Sequence, residues 1–414
     1  NLFLNYLFKN ISLLYFYVFL NLIVSLFSLP IFILNIGIDN FANWSIIYSV
    51  IILSTLVDLG SSRYISNSLP NLKDNNNKEQ LITSCLLISL ISYVILCIIF
   101  YFITNLFGEN FERLNNFNIE IKLLLLTNLF FFLFLSIFRG ILEGLYKLHI
   151  STILNTFFNN INLIIVVILS FYFNSILLFF FTYNIFSFVN LILHIYFAKK
   201  YLPLKFKINN INLIFSTVKK TIPFSISSSI ENIFFILIKL ILFEFSDNKN
   251  NIGYFEIVSK ICNLFKLIGS TISKIFFTYF SDNNINYYNK NKFIVYQMSL
   301  AIPFIFSIII SYINFADYFF INFFLFNINN YFYSILAALI SFSIYGFISI
   351  LFIYFLSLRE FKTINIISLI SFTLCMSAVL NFDFKNLNIM FYSYSSYAFF
   401  YSISLIFVYF YKKN

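Results

Sequence analysis

The stretch IGYFEIVSKICNLFKLIGSTISKIFFTYFSD, Ile252 to Asp282, is apolar and long enough to cross a bilayer, yet it contains Glu256, Lys260, Lys266 and Lys274. Charged side chains within a membrane segment mark ion or substrate pathways unless they are matched by partners. With Lys260 at 0° and 100° per residue, Glu256 falls at about −40°, Asn263 at −60°, Ser270 at −80°, Lys266 at −120°, Ser273 at −140°, Thr271 at +20° and Lys274 at −40°. Ile257, Val258, Ile261, Leu264, Phe265, Ile268, Ile272, Ile275 and Phe276 fill the other side, with Phe255 and Leu267 intruding on the polar arc. On insertion scales four central charges cost about 10–14 kcal/mol, against about 4–8 kcal/mol gained from the apolar residues. Lipid alone would not accept this helix, so its polar face must line a solvated cavity or meet partners.

Other charges lie inside apolar segments: Asp58 and Arg63, Arg139 and Glu143, Glu231 and Lys239. Arg139 and Glu143 are spaced i, i+4, as a self-neutralising pair would be. Asp58 and Arg63 are five residues apart and cannot simply pair with each other. Six cations (Arg63, Arg139, Lys239, Lys260, Lys266 and Lys274) stand against four acids (Asp58, Glu143, Glu231 and Glu256). That excess suits an anionic ligand. The six cations are the candidate substrate-binding residues; the four acids are candidate charge partners or sites of H+ or Na+ coupling. His149 and His194 have no neighbours at ligand or triad spacing, and no phosphate-cradling glycine loop, H-E-x-x-H or nucleophile elbow is visible. Neither a catalytic residue nor a metal or organic cofactor is implied.

The elements that must position these groups follow from composition. Of 414 residues, 60% are hydrophobic and 10% charged, and the mean hydropathy is +0.89. A soluble domain carries about 25% charged residues, so the chain is an all-α polytopic membrane protein. At about 20 apolar residues per crossing, twelve segments are expected: 11–35, 41–68, 82–104, 121–145, 151–173, 176–198, 220–244, 252–280, 293–313, 331–357, 363–382 and 388–411. These runs are too long for strands of a barrel. Residues 314–330 are short and punctuated by asparagine, and are expected to form an interfacial segment. The first apolar run is longer than a signal-peptide core and is expected to be a retained helix. Cys85, Cys97, Cys262 and Cys375 all lie in apolar segments, as small core residues. The 62 Phe and 29 Tyr, with abundant Ile, Asn and Lys, fit a codon bias toward A and T, so aromatic richness alone is not a ligand cage.

With the N-terminus in the cytoplasm, sixteen of the 26 Lys and Arg fall in cytoplasmic loops and ends, and Arg113, Lys122, Lys249 and Lys385 fall outside. Basic residues favour the cytoplasmic side; both termini are therefore expected there. The net charge of +10 is mostly this topology and attraction to anionic lipid, with no nucleic acid implied. The basic connection 199–219 separates a six-helix bundle, 1–198, from another, 220–414. At an offset of 210, Trp44 meets Tyr254, Ile47 meets Ile257 and Ser49 meets Ser259. Six plus six helices is the layout of transporters built from repeats, with a site between the bundles.

LPIFILNIGIDNFANWSIIYSVIILSTLVDLGSSRYI, with its D-L-G element and following Arg63, resembles the first two helices of Wzx-type lipid-linked oligosaccharide flippases of the multidrug/oligosaccharidyl-lipid/polysaccharide exporter superfamily. FRGILEGLYKLHIS resembles the family's L-E-G segment, and NIGYFEIVSKI its G-Y start of the eighth helix. One departure stands out: many relatives carry an acidic residue just before the basic one in the seventh helix, and here Ile238 precedes Lys239.

The resemblance implies two six-helix bundles around a central cavity. It also implies transfer of an undecaprenyl-pyrophosphate-linked oligosaccharide between the leaflets of the bacterial cytoplasmic (inner) membrane, as in O-antigen, lipopolysaccharide or capsule assembly. Partners would be that lipid-linked substrate, membrane lipids, and a polysaccharide polymerase with its chain-length machinery. Two alternatives stay open: a membrane polymerase or glycosyltransferase, which would normally carry a large outward loop, and a cation-coupled drug exporter, whose cavity should be acidic. Reporter fusions near Lys73, Lys205, Lys290 and Arg359 should all read as cytoplasmic; an external 199–219 connection would overturn the two-bundle layout.

Overall fold

In hydrocarbon every backbone N–H and C=O must be satisfied within the chain, so apolar runs of this length close into helices. The computed structural model describes residues 2–52, 58–106, 119–173, 175–202, 211–246, 250–281, 287–324, 326–381 and 386–413. Its helices are α1 (Leu2–Ile36), α2 (Ile38–Ile52), α3 (Ser61–Ser68), α4 (Asn75–Leu106), α5 (Ile119–Gly144), α6 (Leu148–Ser170), α7 (Ile176–Tyr201) and α8 (Ile211–Phe245). They continue as α9 (Asn250–Ser281), α10 (Tyr287–Ser299), α11 (Ala301–Phe324), α12 (Phe332–Ser357), α13 (Phe361–Asn381) and α14 (Leu387–Lys413). Each of the twelve expected segments is met by helix, and the described residues contain no strand. Eight of the described helices or helix pairs are long and apolar enough to cross a membrane, nine when α8 is counted as one bent span; the charged α9 is not among them.

Two local expectations are corrected. Segment 41–68 is not one continuous helix: α2 ends at Ile52, residues 53–57 lie outside the described residues, and Asp58–Gly60 form a turn before α3. Leu59 and Gly60 both have positive φ, 49° and 71°, a conformation that glycine tolerates best. A Cβ on Gly60 would also meet Ser225 N at 2.5 Å and Thr221 O at 2.6 Å. The second correction concerns 314–330. Helix α11 runs through Asn314 to Phe324, followed by a 3-10 turn at Asn329–Tyr331. The Asn314 side chain donates to Ile310 O at 2.8 Å, so this asparagine is accommodated inside the helix and does not end it.

The chain forms two compact units, residues 47–232 and residues 1–46 with 233–414. In the first, α5 packs on α7 and α3 on α5. Gly140 and Gly144 let α3 approach: a Cβ on Gly140 would lie 2.5 Å from Ser62 O. In the second unit, α12 is the central helix, packed on α9 and α14. In its apolar window 72% of residues are buried, against 22–44% for the other spans. Its hydroxyls are returned to backbone carbonyls, Ser343 to Leu339 O at 2.6 Å and Ser357 to Tyr354 O at 2.7 Å. Rings fill the space around it: Phe342 stacks on Tyr394 at 4.1 Å and Phe234 on Tyr397 at 4.7 Å.

The α9–α12 crossing seats the charged helix. A Cβ on Gly269 would lie 2.5 Å from Gly346 C, and one on Gly346 would lie 2.5 Å from Lys266 O. Backbones meet directly here, as small residues permit between membrane helices. Gln297 of α10, buried at 1% exposure, donates to Gly269 O at 2.9 Å, Ser273 Oγ at 2.9 Å and Phe347 O at 3.2 Å. Ser273 and Ser349 hydroxyls add a bond at 2.8 Å. Since the opposing atoms are backbone, Gly346→Ala should lower the Tm measured in detergent, by an overpacking cost of about 1–3 kcal/mol. An unchanged Tm would mean the crossing is looser than described.

Candidate functional site

Helix α9 places Glu256 and Lys260 one turn apart, α8 brings Lys239 to the same point, and α2 brings Phe41, Trp44 and Ser45. Glu256 is buried, with its side chain 3% exposed. Its Oε2 lies 2.5 Å from Lys239 Nζ and its Oε1 3.7 Å from Lys260 Nζ. Ser45 stands beside the carboxylate. Two ammonium groups thus share one carboxylate, and the cluster keeps one excess positive charge. The two lysines are not equivalent: the side chain of Lys239 is 7% exposed, that of Lys260 26%.

Lys260 is held by rings as well. Its Nζ sits 4.2 Å from the Trp44 ring centre and 5.3 Å from that of Phe41. Phe41 and Trp44 stack at 5.8 Å, and Phe32 meets both edge-on at 6.3 and 5.6 Å. A desolvated cation over an aromatic face gains about 2 kcal/mol. Six residues further along α9, Lys266 Nζ lies 4.4 Å from the Tyr345 ring centre on α12. Lys274 lies on the same helix; its side chain is outside the described residues.

The position before Lys239 is Ile238, fully buried, so the carboxylate opposite this lysine comes from the neighbouring helix through Glu256. Phe41, Trp44 and Tyr345 were not legible as partners, because ring-rich composition concealed them. A signal existed: Trp44 is the single tryptophan of the chain, on the segment that echoes the start of α9.

The remaining candidates lie in residues 47–232. Arg139 Nε pairs with Glu143 Oε1 at 3.0 Å along α5, as the spacing suggested. Asp58 Oδ1 accepts the Gly60 N–H at 2.6 Å, and its Oδ2 accepts from Ser136 Oγ at 3.2 Å. It holds the turn that begins α3, and Arg63 is close enough to act on its charge. Glu231 lies on α8, partly buried. His194 is buried between Asn190 O at 3.0 Å and Ser151 Oγ at 3.3 Å, a satisfied core position. Arg113, Lys249 and Lys385, expected on the outer side, and residues 203–210 of the basic connection lie outside the described residues. Among the described residues no group of three or more His, Cys, Asp or Glu could hold a metal ion.

The ion cluster is asymmetric in what it can lose. Glu256→Gln removes the partner of a buried lysine and should lower stability by about 3–5 kcal/mol, read as a fall in Tm. Lys239→Met combined with Glu256→Leu should recover most of that loss, because Lys260 keeps its rings and its access to solvent. Equal stability of Glu256→Gln and the native chain would show that the pair is not closed.

A family profile described as polysaccharide biosynthesis protein matches residues 7–284. Among curated proteins no sequence match is found. Similar solved structures include the inward-facing conformation of a multidrug resistance MATE family transporter of the MOP superfamily, with a TM-score of 0.70, 13% identity and coverage of 94% of each chain. The outward-facing conformation of such a transporter gives a TM-score of 0.71 at 14% identity, over 98% of this chain and 95% of the other. A structure of MATE in the straight conformation gives 0.62 at 13%, over 96% and 97%. At such identities the likeness speaks for the fold. The profile covers more than half of the sequence, and by it this multi-pass membrane chain belongs to the polysaccharide biosynthesis protein family, built on the helical fold shared with transporters of the MOP superfamily.

Proposed function

We propose that the protein is a flippase that moves an undecaprenyl-pyrophosphate-linked oligosaccharide from the inner to the outer leaflet of the bacterial cytoplasmic membrane by alternating access. The observation that carries this reading is the positive excess of the Lys239–Glu256–Lys260 cluster. Two lysines sharing a lone carboxylate would attract an anion and repel a cation. A pyrophosphate headgroup would find charge-assisted contacts at Lys260 and Lys266, while its lipid tail stayed in the bilayer. The family supports the sugar half of the proposal, since its description is polysaccharide biosynthesis.

Arg63, Arg139, Lys239, Lys260, Lys266 and Lys274 are proposed as contacts for the anionic headgroup. Asp58, Glu143, Glu231 and Glu256 are the candidates for charge balance or H+ or Na+ coupling. Glu256 leads them, because its protonation would leave two lysines facing an uncharged acid. The bodies that rock would be the bundles 1–198 and 220–414, joined by 199–219, with both termini in the cytoplasm. Chain contacts group the residues differently, residues 1–46 siding with 233–414, so α1 and the first turns of α2 would move with the second bundle. A polysaccharide polymerase and chain-length machinery would receive the product.

A second reading, a drug exporter, is favoured by one observation: two of the similar folds are described as multidrug resistance transporters. A cationic drug would have to approach Lys260 and Lys266 against their charge. The two readings part in one experiment, export of lipid-linked oligosaccharide in cells lacking their own flippase, with drug sensitivity measured in parallel. Lys266→Ala should slow oligosaccharide export about ten- to a hundredfold, the loss of one desolvated charge-assisted contact at the barrier. Lys266→Arg should retain more activity, keeping the charge on a different shape. At matched protein levels, full export after neutralising Lys239, Lys260 and Lys266 together would refute the headgroup role. Drug resistance without oligosaccharide export would replace the flippase with the exporter.

A further inference from the structure

Residues 47–232 hold a second polar site, of different chemistry. Helix α6 sets Asn155, Asn159 and Asn162 at i, i+4 and i+7, and α7 sets Tyr183, Ser187 and Asn190 at the same spacing, so each trio occupies one helix face. With Ser136 and Arg139 of α5 these residues line an open cleft, together with the rings of Phe132, Phe158 and Phe186. A row of amides facing a row of hydroxyls and one amide, in the middle of apolar helices, is costly unless hydrogen-bonded.

The amides are only partly satisfied by the chain. Asn190 Nδ2 donates to Asn155 Oδ1 at 3.0 Å, and Asn128 Nδ2 donates to Ser187 Oγ at 3.3 Å. Asn162 is 8% exposed and Asn190 3%, yet the Oδ1 of each has no hydrogen-bond partner. Both residues line the cleft, and the chain leaves both oxygens unanswered. The cleft is also electrically quiet, since Arg139, its one cation, is paired with Glu143 at 3.0 Å.

Neutral amides that accept and donate, hydroxyls, and flat ring faces are the complement of a pyranose ring, with hydroxyls at its rim and C–H bonds on its faces. In this cleft a pyrophosphate would meet Arg139 alone, its charge already offset by Glu143. We infer that the cleft between α5, α6 and α7 is a saccharide-binding subsite, in which Asn162 and Asn190 accept hydrogen bonds from sugar hydroxyls. It rests on the proposed function for its biological meaning and names where the glycan of that substrate would be held, apart from the cationic cluster of α9. Selection among sugars would follow from amide geometry, and an open cleft would admit one residue of a longer glycan.

The probes are free pyranosides: glucose, galactose, N-acetylglucosamine and a disaccharide at millimolar concentration, added to the purified full chain in detergent and read by saturation-transfer NMR. At least one should receive magnetisation from the native protein. Asn162→Leu, which replaces an unpartnered amide by an apolar group of similar size and should keep the native Tm, should weaken that sugar's binding about five- to tenfold, the loss of one neutral hydrogen bond. Asn159→Leu should act in the same direction, and Asn314→Leu, on exposed α11, should not. No transfer to any sugar, or equal transfer with Asn162→Leu, overturns the subsite and leaves the cleft a water-filled space. The binding assay needs no transport. If sugars bind but native cells export no lipid-linked oligosaccharide, the flippase reading fails and the subsite stands; normal export by the Asn159→Leu, Asn162→Leu double variant removes the subsite alone.

Discussion

A charge inside a membrane helix has to be answered by another group of the chain, because lipid offers nothing in return. In residues 1–46 and 233–414 that constraint falls on Glu256, buried between Lys239 and Lys260. It ties three helices together at one point, α2, α8 and α9. Further along, α9 meets the central helix backbone to backbone at Gly269 and Gly346, where no side chain intervenes. Gln297 then bonds to α9 and α12 at once. The ionic cluster, the glycine crossing and the glutamine clamp are successive consequences of keeping a charged helix in an apolar setting.

Much of this was legible in the sequence. Apolar length alone predicts twelve helical segments, and the 100° projection of α9 separates Glu256 and Lys260 from Ile257, Val258 and Ile261, which the structure buries in the core. Turn geometry was harder to see. The break at Asp58–Gly60 lies in a run apolar enough to continue as helix, and only the D-L-G element marks it, through a carboxylate that accepts the Gly60 N–H. Asparagine misled in the opposite sense. Read as punctuation at 314–330, it is common throughout this chain, and Asn314 returns its amide to the carbonyl one turn back.

The partners of the charges were the least legible part, since pairing across helices leaves no spacing in sequence. Ile238 beside Lys239 looks like the loss of an acidic partner. In the fold the position next to a lysine along the chain points elsewhere, into the core, and the carboxylate arrives from α9. What matters for such a pair is that one acid is within reach in space, so the acid can sit on either helix. Trp44 and Phe41 show the same limit for rings. Among 62 phenylalanines no single one stands out, and their role emerges only when Lys260 is found 4.2 Å from the indole.

The likeness to MATE structures at 13–14% identity separates what fixes this fold from what would fix its cargo. Helix number and length follow from hydropathy, and close crossings from a few glycines; neither specifies what passes through. Cargo chemistry resides in a small set of polar groups that apolar helices can accommodate singly. Here those groups include lysines with a net positive charge in one unit and, in the other, asparagines beside an arginine already paired with an acid. A substrate carrying both an anionic headgroup and a neutral glycan would use both kinds, whereas an organic cation would use neither. Because each polar group costs insertion energy, a chain with no need to recognise such a substrate would gain by replacing Asn162 with leucine and Lys260 with methionine.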